Sequence, residues 1–156
     1  MTTDRIILLV EDNPDDVDLT IRAFEKSQLV HQMVVARDGV EALDYLFSEG
    51  SYAGRRPELS PSVVLLDLNL PKLNGLEVLK RMRADERTRR VPVVILTSSK
   101  EEQDRLQSYN LGANSFVRKP VNSGDFLAAA HQLGIYWLDV NVNATPPSTD
   151  AKRSRS

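Results

Sequence analysis

The sequence predicts an α/β fold with a doubly wound, five-stranded parallel sheet. Five short apolar runs are each followed by a segment of helical periodicity, in repeats of roughly two dozen residues. Such alternation favours parallel strands joined by right-handed crossovers, with helices on both faces of the sheet. The length of 156 residues suits one domain with its own core.

The composition excludes several classes of function. The chain is 41% hydrophobic and 27% charged, and its 20 basic against 22 acidic residues leave no basic field for nucleic acid. It has no cysteine, which excludes disulfides, thiolate metal sites and thiol nucleophiles. With no apolar run of bilayer length and no secretion signal at its start, we expect a cytoplasmic protein without a membrane partner.

The first repeat joins a buried strand to a capped helix. Ile6–Val10 is an apolar run that ends in Glu11 and Asp12. Asn13 offers an N-cap, Pro14 suits the first helical position, and acidic residues suit the first turn. The acids of that turn and the apolar stripe of the helix are Asp15, Asp16, Val17, Ile21, Phe24 and Leu29.

The second repeat is predicted as a strand at Met33–Ala36 and a helix that begins near Asp38. Glu41, three residues after Asp38, suits a capping box. The polar stretch over residues 50–62 then leads to the central strand as a loop. The predicted inner face of the helix is Ala42, Leu43, Leu46 and Phe47.

The central strand is predicted at Val63–Leu66 and ends in Asp67. Four consecutive apolar residues are typical of a strand that is covered on both faces. Pro71 cannot continue the ladder, so Asp67 lies near the carboxyl edge of the sheet, where open α/β sheets hold their chemistry. An aspartate here is also common as a helix cap or turn former, and this run alone leaves both interpretations open.

The third helix and the fourth strand follow the same pattern. Asn74 and Gly75 mark a turn, and the arginine-rich stretch 83–90 closes the helix. Val93–Leu96 is a fourth buried-type strand. The apolar positions of the third helix are Leu76, Val78, Leu79 and Met82.

The fourth helix has two overlapping capping-box registers, Ser98–Glu101 and Ser99–Glu102. It is predicted to run to about Leu111, with Gly112 at the C-cap. Ser115–Arg118 is the fifth strand.

A last helix is predicted from Ser123 towards Asp139. Residues 144–156 are rich in Pro, Ser, Thr and Arg without periodicity, which predicts a disordered tail. We therefore expect one domain over residues 1–143.

Polar residues follow four of the five predicted strands. Glu11 and Asp12 follow the first strand, Asp67 the third, Thr97 the fourth and Lys119 the fifth. In a parallel sheet these positions meet at one edge. Each residue alone has a structural explanation as a cap, a helix start or a surface lysine, but together they form a constellation suited to phosphoryl chemistry.

Carboxylates gathered at one edge repel one another and favour a bound cation. Oxygen ligands without His or Cys select a hard ion such as Mg²⁺. One carboxylate is then available as a nucleophile toward phosphorus, while an ammonium and a hydroxyl bind the phosphoryl oxygens.

These motifs resemble the receiver domain of two-component response regulators. The resemblance covers about Ile6 to Leu138 and implies the flavodoxin-like (βα)5 fold. Within the family the chain is most similar to single-domain regulators paired with phytochrome-type histidine kinases, through the loop 50–62, Leu68–Pro71 and the aromatic stretch 136–138. The matching motifs are Glu11-Asp12, Asp67 with Pro71 and Gly75, Thr97-Ser98, and Lys119-Pro120.

The resemblance implies a role for each matching residue. Asp67 is the phosphoacceptor, which takes a phosphoryl group from the phosphohistidine of a sensor histidine kinase. Asp12 and Asp67 coordinate Mg²⁺ together with the backbone carbonyl of Asn69, and Glu11 acts mainly through water. Lys119 neutralises the phosphoryl oxygens.

Thr97 and Phe116 are the implied switch residues. Thr97 is expected to move toward the acyl phosphate, and Phe116 to turn inward with it; without the resemblance Phe116 is plain core. The Lys119-Pro120 bond is expected to be cis. Asn74 replaces the usual aspartate, which affects the turn rather than the chemistry. We also hypothesise that the side chain of Asn69 overlooks the site and influences attacking water.

We expect a phosphorylation-dependent switch rather than an enzyme, which signals by protein–protein contact because no output domain is recognised. His31 and His131 lie away from the strand ends and are not expected in the chemistry. The last helix is apolar over more than one face, which predicts a homodimer unless its aromatic end packs on its own core. The predicted stripe is Phe126, Leu127, Ala130, Leu133 and Trp137, with Ala128, Ala129, Ile135 and Tyr136 outside it.

Two other functions compete with this interpretation. A receiver used as a phosphorylation-independent binding module would be expected to lack the acceptor or the acidic pair, and neither is missing. A Mg²⁺-dependent phosphohydrolase of the haloacid-dehalogenase type also uses an aspartate nucleophile. There, however, the nucleophile follows the first strand, whereas Asp67 follows the third.

Overall fold

The computed structural model describes residues 6–27, 32–54, 60–107 and 114–135. Within these ranges five parallel strands form one sheet in the order β2-β1-β3-β4-β5. This confirms the predicted α/β fold with a five-stranded parallel sheet. The strands are β1 (Ile6–Val10), β2 (Gln32–Ala36), β3 (Val63–Asp67), β4 (Val93–Thr97) and β5 (Ser115–Arg118).

Helices alternate with the strands along the chain. They are α1 (Pro14–Ser27), α2 (Gly39–Phe47), α3 (Gly75–Ala84), α4 (Lys100–Gln107) and α5 (Ser123–Gln132). The polar stretch after α2, which the sequence predicts as a loop, begins with a short 3-10 turn at Gly50–Tyr52. None of the helices in the described ranges is both long and apolar enough to span a bilayer.

The core lies on both faces of the sheet. Every residue of β1, β3 and β4 is buried, as the apolar runs predict for central strands. On one face Leu65 packs in a cluster with Phe24 of α1 and Phe126 of α5, whose ring centroids are 4.8 Å apart. On the other face Leu66 packs in a cluster with Val78 of α3 and other residues. Each such side chain contributes roughly 1.5–3 kcal/mol by burial.

Side-chain caps fix where the helices begin. The carboxamide of Asn13 accepts from the backbone of α1 at 2.8 Å, and Asp38 accepts from Glu41 N–H at 2.7 Å, as predicted. Of the two registers at α4, a bond from Glu102 N–H to Ser99 Oγ forms at 3.0 Å. Two further caps are asparagines that the sequence analysis did not assign as caps, Asn74 for α3 and Asn122 for α5.

The last helix is shorter than predicted. It ends at Gln132, and Gly134 adopts a left-handed conformation with φ of 78°. Ile135 N–H then bonds the Ala130 carbonyl at 2.9 Å, which together with a Gly134 bond to His131 forms a Schellman motif. The prediction of a helix that continues towards Asp139 was therefore wrong.

The turn at the end of α5 also changes which residues are buried. It returns Ile135 to the core at 3% exposure, and Ala129 is equally buried. The prediction that both lie outside the buried stripe was wrong. Several positions named above fall outside the described residues: Leu29, His31, Leu111, Gly112, the aromatic stretch 136–138 and the tail 144–156.

Candidate phosphoacceptor and metal site

The carboxyl edge of the sheet gathers the acids that the sequence singles out. Ligand oxygens of Glu11, Asp12 and Asp67 all lie within 4.8 Å of one another. Glu11 and Asp67 are buried, whereas Asp12 is exposed. The loops after β1 and β3 therefore meet as predicted.

Lys119 connects the two buried acids of this group. Its ammonium donates to Asp67 Oδ2 at 2.9 Å and to Glu11 Oε1 at 3.2 Å. The backbone holds the residue in place, because Lys119 N–H bonds the Thr97 carbonyl at 2.9 Å. The Lys119-Pro120 bond is cis, as expected. The ends of β4 and β5 thus set the position from which the side chain reaches β3.

A fourth carboxylate joins the site from α1. Asp16 Oδ2 lies 3.3 Å from the Lys119 ammonium. The sequence analysis assigned Asp16 only to the positive end of the helix. Its partly buried side chain, compared with the exposed Asp15, shows which acid of the first turn faces the sheet edge. The sequence contained one signal for this position: the Asn13 cap fixes where α1 starts and therefore where Asp16 lies in its first turn.

Glu11 has an unusual electrostatic environment. Its side chain is 1% exposed, and its Oε2 accepts from Asn13 N–H at 3.1 Å. Burial, and next the negative charge of Asp67, raise the pKa of Glu11 to about 7, although the Asn13 bond and Lys119 oppose the shift. A positive charge added nearby would lower this pKa and stabilise the ionised carboxylate.

The pKa of Lys119 moves in the direction that keeps its charge. Burial disfavours the ammonium, but the hydrogen bond and charge of Asp67 and the charge of Glu11 outweigh it, so the pKa of Lys119 is raised. The side chain therefore stays cationic at neutral pH and offers a permanent positive charge to the site.

The acceptor candidate Asp67 is held by two donors. Its Oδ1 accepts from Asn69 N–H at 2.9 Å, and its Oδ2 accepts from Lys119. The loop after β3 turns tightly, with Gly75 N–H bonded to the Leu68 carbonyl at 3.0 Å. A Cβ on Gly75 would lie 2.5 Å from the Asp67 carbonyl oxygen, so only glycine fits this close approach.

Thr97 and Phe116, the expected switch residues, lie on neighbouring strands. Thr97 is 1% exposed, and among the described residues its hydroxyl is the buried side-chain group without a hydrogen-bond partner. An unpaired buried hydroxyl costs about 1–3 kcal/mol, which an added acceptor would recover. Phe116 is half-buried against the cluster of Leu66 and Val78. An acceptor brought to the Thr97 hydroxyl would therefore be favourable, and Phe116 is only partly enclosed by the core.

The donor set fits a hard divalent cation. The acids Glu11, Asp12 and Asp67 supply only oxygen, and the exposed Asp12 leaves one side open to water ligands. Burial and the negative charge of Asp67 raise the pKa of Glu11 despite Lys119, so a cation bound here would favour the ionised form of Glu11. Asn69, whose backbone carbonyl was expected as a ligand, is exposed in the loop beside Asp67.

His131 lies far from this edge. The neighbouring Gln132 accepts a hydrogen bond from Ser115 at the start of β5, whereas Lys119 follows the end of that strand. His131 is therefore at the opposite edge of the sheet from Asp67, which agrees with the expectation that it takes no part in the chemistry.

A family model described as the response regulator receiver domain matches residues 7–131. The chain belongs to this family. As a receiver it is a phosphoacceptor switch rather than an enzyme, and the haloacid-dehalogenase alternative is excluded. Among curated proteins the receiver is 42% identical to the probable methanogenesis regulatory protein FilR2 of Methanothrix harundinacea (strain 6Ac), over 90% of this chain and 88% of that one.

Solved receivers provide similar structures. The bacteriophytochrome response regulator AtBRR is 56% identical, with a TM-score of 0.83 over 87% of this chain and 96% of that one. The phosphorylated cyanobacterial phytochrome response regulator RcpA is 36% identical, with a TM-score of 0.66 over 92% and 97% of the two chains. The Mn²⁺-bound form of response regulator Rcp1 is 36% identical, with a TM-score of 0.67 over 86% and 95%. The receiver thus resembles phytochrome-linked regulators and has the acidic metal site of its family.

Proposed function

We propose that this receiver accepts a phosphoryl group on Asp67 from the phosphohistidine of a sensor histidine kinase, in a Mg²⁺-dependent reaction. The observation that carries the proposal is the buried carboxylate of Asp67, which lies between the Lys119 ammonium at 2.9 Å and the acids Glu11 and Asp12. In this reaction a carboxylate oxygen forms the new P–O bond, and the imidazole nitrogen keeps the electron pair of the broken P–N bond.

The chain's own residues account for most of the machinery. Lys119 holds the phosphoryl oxygens by charge, and the hydroxyl of Thr97, which has no partner among the described residues, supplies a further donor. Glu11, Asp12, Asp67 and the carbonyl of Asn69 would hold the metal ion. When bound, Mg²⁺ would neutralise the negative charge that the phosphoryl group brings among these acids.

The output of this reaction is a change of surface rather than a second reaction. Movement of Thr97 toward the phosphoryl group would leave room into which the half-buried Phe116 turns. Because Ile95 of β4 is paired with Phe116, the loop after β4 and the outer strand would change together. A partner protein would recognise the altered surface.

The partner kinase is proposed to be of the phytochrome type. The support is the 56% identity to a bacteriophytochrome response regulator over nearly all of that chain. The chain is also similar to FilR2, whose name refers to methanogenesis rather than to a phytochrome, so the partner kinase needs a direct test. Phosphotransfer from a bacteriophytochrome kinase, compared in its two light states and with an unrelated histidine kinase, should be selective for the phytochrome and depend on light.

A homodimer through the C-terminal helix remains a prediction. Leu127 of α5 and Leu133, which directly follows α5, are half-buried apolar residues, and the large exposed hydrophobics of the described ranges, Leu19 and Val40, lie elsewhere. Light scattering at high micromolar concentration, with and without phosphorylation, tests it. A monomer in both states contradicts the prediction. The expected domain limits, residues 1–143 with a tail over 144–156, also remain predictions.

Incubation with acetyl phosphate and Mg²⁺, followed by intact mass measurement, tests the central proposal. The wild type should gain one phosphoryl group, the Asp67→Asn variant none, and a variant of the exposed acid Asp18, Asp18→Asn, as much as the wild type. Addition of EDTA should prevent the gain. An adduct of equal extent on Asp67→Asn would reject Asp67 as the acceptor.

A further inference from the structure

The carboxylate of Glu102, in the first turn of α4, connects the loops that follow β3 and β4. Its Oε1 accepts from Ser98 N–H at 2.7 Å and from Ser98 Oγ at 3.3 Å. Its Oε2 accepts from the side-chain amide of Asn69 at 3.2 Å, across 33 positions of the chain. One acid thus holds three donors from two separate loops.

These donors belong to residues that flank the acceptor site. Asn69 lies two residues after Asp67, and its own N–H already bonds Asp67 Oδ1. Ser98 directly follows Thr97, whose buried hydroxyl has no partner among the described residues. Any movement of Thr97 toward Asp67 must therefore act on the peptide whose N–H Glu102 holds.

Helix capping does not account for these contacts. In a capping box the carboxylate returns to the N–H of the cap residue, which here is Ser99. The short bond of Glu102 instead goes to Ser98, one residue earlier, and its second oxygen reaches the other loop. The cap itself needs only the bond from Glu102 N–H to Ser99 Oγ.

We propose that Glu102 is a positioning residue that holds the unphosphorylated state and competes with the phosphoryl group for donors. This inference rests on the proposed function. While Glu102 binds Ser98 N–H and the Asn69 amide, neither donor is available to a phosphoryl oxygen on Asp67. Phosphorylation supplies a second anion for the same donors, and the loop after β4 is then released from Glu102 and moves with Thr97.

The charge of Glu102 is the property that matters, because hydrogen bonds to an ionised acceptor are roughly twice as strong as neutral ones. Glu102→Gln keeps an acceptor oxygen and the size of the side chain but removes the charge. Glu101→Gln is the matched control, since Glu101 is an exposed acid of the same helical turn with the same effect on net charge.

Uptake of the phosphoryl group from acetyl phosphate in Mg²⁺, its lifetime on Asp67 and the NMR resonance of Ser98 N–H test the proposal. Glu102→Gln should take up the phosphoryl group about fivefold faster and keep it longer, with the Ser98 resonance shifted before phosphorylation. Glu101→Gln should match the wild type in all three. Asn69→Ala should reduce the effect of Glu102→Gln, since the two side chains share a bond.

The inference is overturned if Glu102→Gln and Glu101→Gln have equal uptake rates and lifetimes while the wild type is phosphorylated normally. A Ser98 resonance that shifts in Glu102→Gln while the uptake rate and the lifetime stay unchanged also overturns the inference, because Glu102 then acts only as a structural contact. If the wild type itself takes up no phosphoryl group, the proposed function fails, and this inference fails with it.

Discussion

The ammonium of Lys119 donates to Oδ2 of Asp67 at 2.9 Å, across 52 positions of the chain. The same nitrogen lies 3.2 Å from Glu11 and 3.3 Å from Asp16, so one cation serves three acids from three segments. Lys119 therefore has a structural role beside the chemical one proposed for it, because its loss leaves buried negative charges without compensation.

Replacement of Lys119 by methionine should lower both phosphoryl uptake and stability. We expect uptake from acetyl phosphate to fall at least tenfold, and the free energy of unfolding in urea to fall by about 2–4 kcal/mol near pH 8. The control is Arg118→Met at the neighbouring exposed position. Equal uptake by the two variants would mean that the ammonium is not needed for phosphoryl binding.

The raised pKa of Glu11 makes stability depend on pH. In metal-free buffer the folded protein keeps a proton on Glu11 between its ordinary pKa of 4.5 and about 7, a range in which the unfolded chain releases it. The folded state then binds more protons, so this contribution to stability falls as the pH rises through that window and stays low above it.

Glu11→Gln removes this dependence. Urea unfolding should find the variant more stable than the wild type by about 2–3 kcal/mol near pH 8, with less than about 1 kcal/mol between them near pH 5. Glu25→Gln, an exposed acid of α1, is the control for the change in net charge. A difference that does not vary with pH would contradict the assignment to Glu11.

Magnesium should stabilise the protein through the three acids at the sheet edge. A concentration one hundred times the dissociation constant should add about 2.7 kcal/mol, measured as a rise in Tm that EDTA reverses. Asp12→Asn should lose most of this rise, and Asp15→Asn, at an exposed acid of the first turn of α1, should keep it. Equal shifts for both variants would place the ion elsewhere.

The tight turn after β3 should not tolerate a side chain at Gly75. In Gly75→Ala the added Cβ would meet the Asp67 carbonyl at 2.5 Å, and we expect a loss of about 2–4 kcal/mol in the free energy of unfolding. Gly124→Ala in α5 is the contrast, because its Cβ would meet only Asn122 Oδ1, at 3.4 Å. This second change should stabilise by about 0.5–1 kcal/mol.

The fold and most of the site could be predicted because both depend on local patterns. β1, β3 and β4 are buried on both faces, so their sequences are continuous apolar runs with clear ends. The parallel arrangement then brings the residues after each strand together, which is why Asp12, Asp67 and Lys119 could be expected at one place.

Other features depend on contacts without a local pattern. The ion pair of the Lys119 ammonium with Asp16 and the bond that the Asn69 amide donates to Glu102 join segments far apart in sequence, and no spacing rule indicates them. The end of α5 is different, because the sequence did contain a local signal for the end of the helix. Gly134 suits the left-handed position after a helix, but the apolar residues beyond it continued the helical period and hid the stop.

The buried hydroxyl of Thr97 gives the resting protein a built-in bias. Since no described residue gives it an acceptor, the unmodified state is less stable than an otherwise identical molecule in which that hydrogen is bonded. In the switch proposed above, part of the driving force for the conformational change would therefore already be present in the polypeptide before any phosphate arrives. The proposed modification would supply an acceptor to the Thr97 hydroxyl, and its removal would leave that hydroxyl unpaired again.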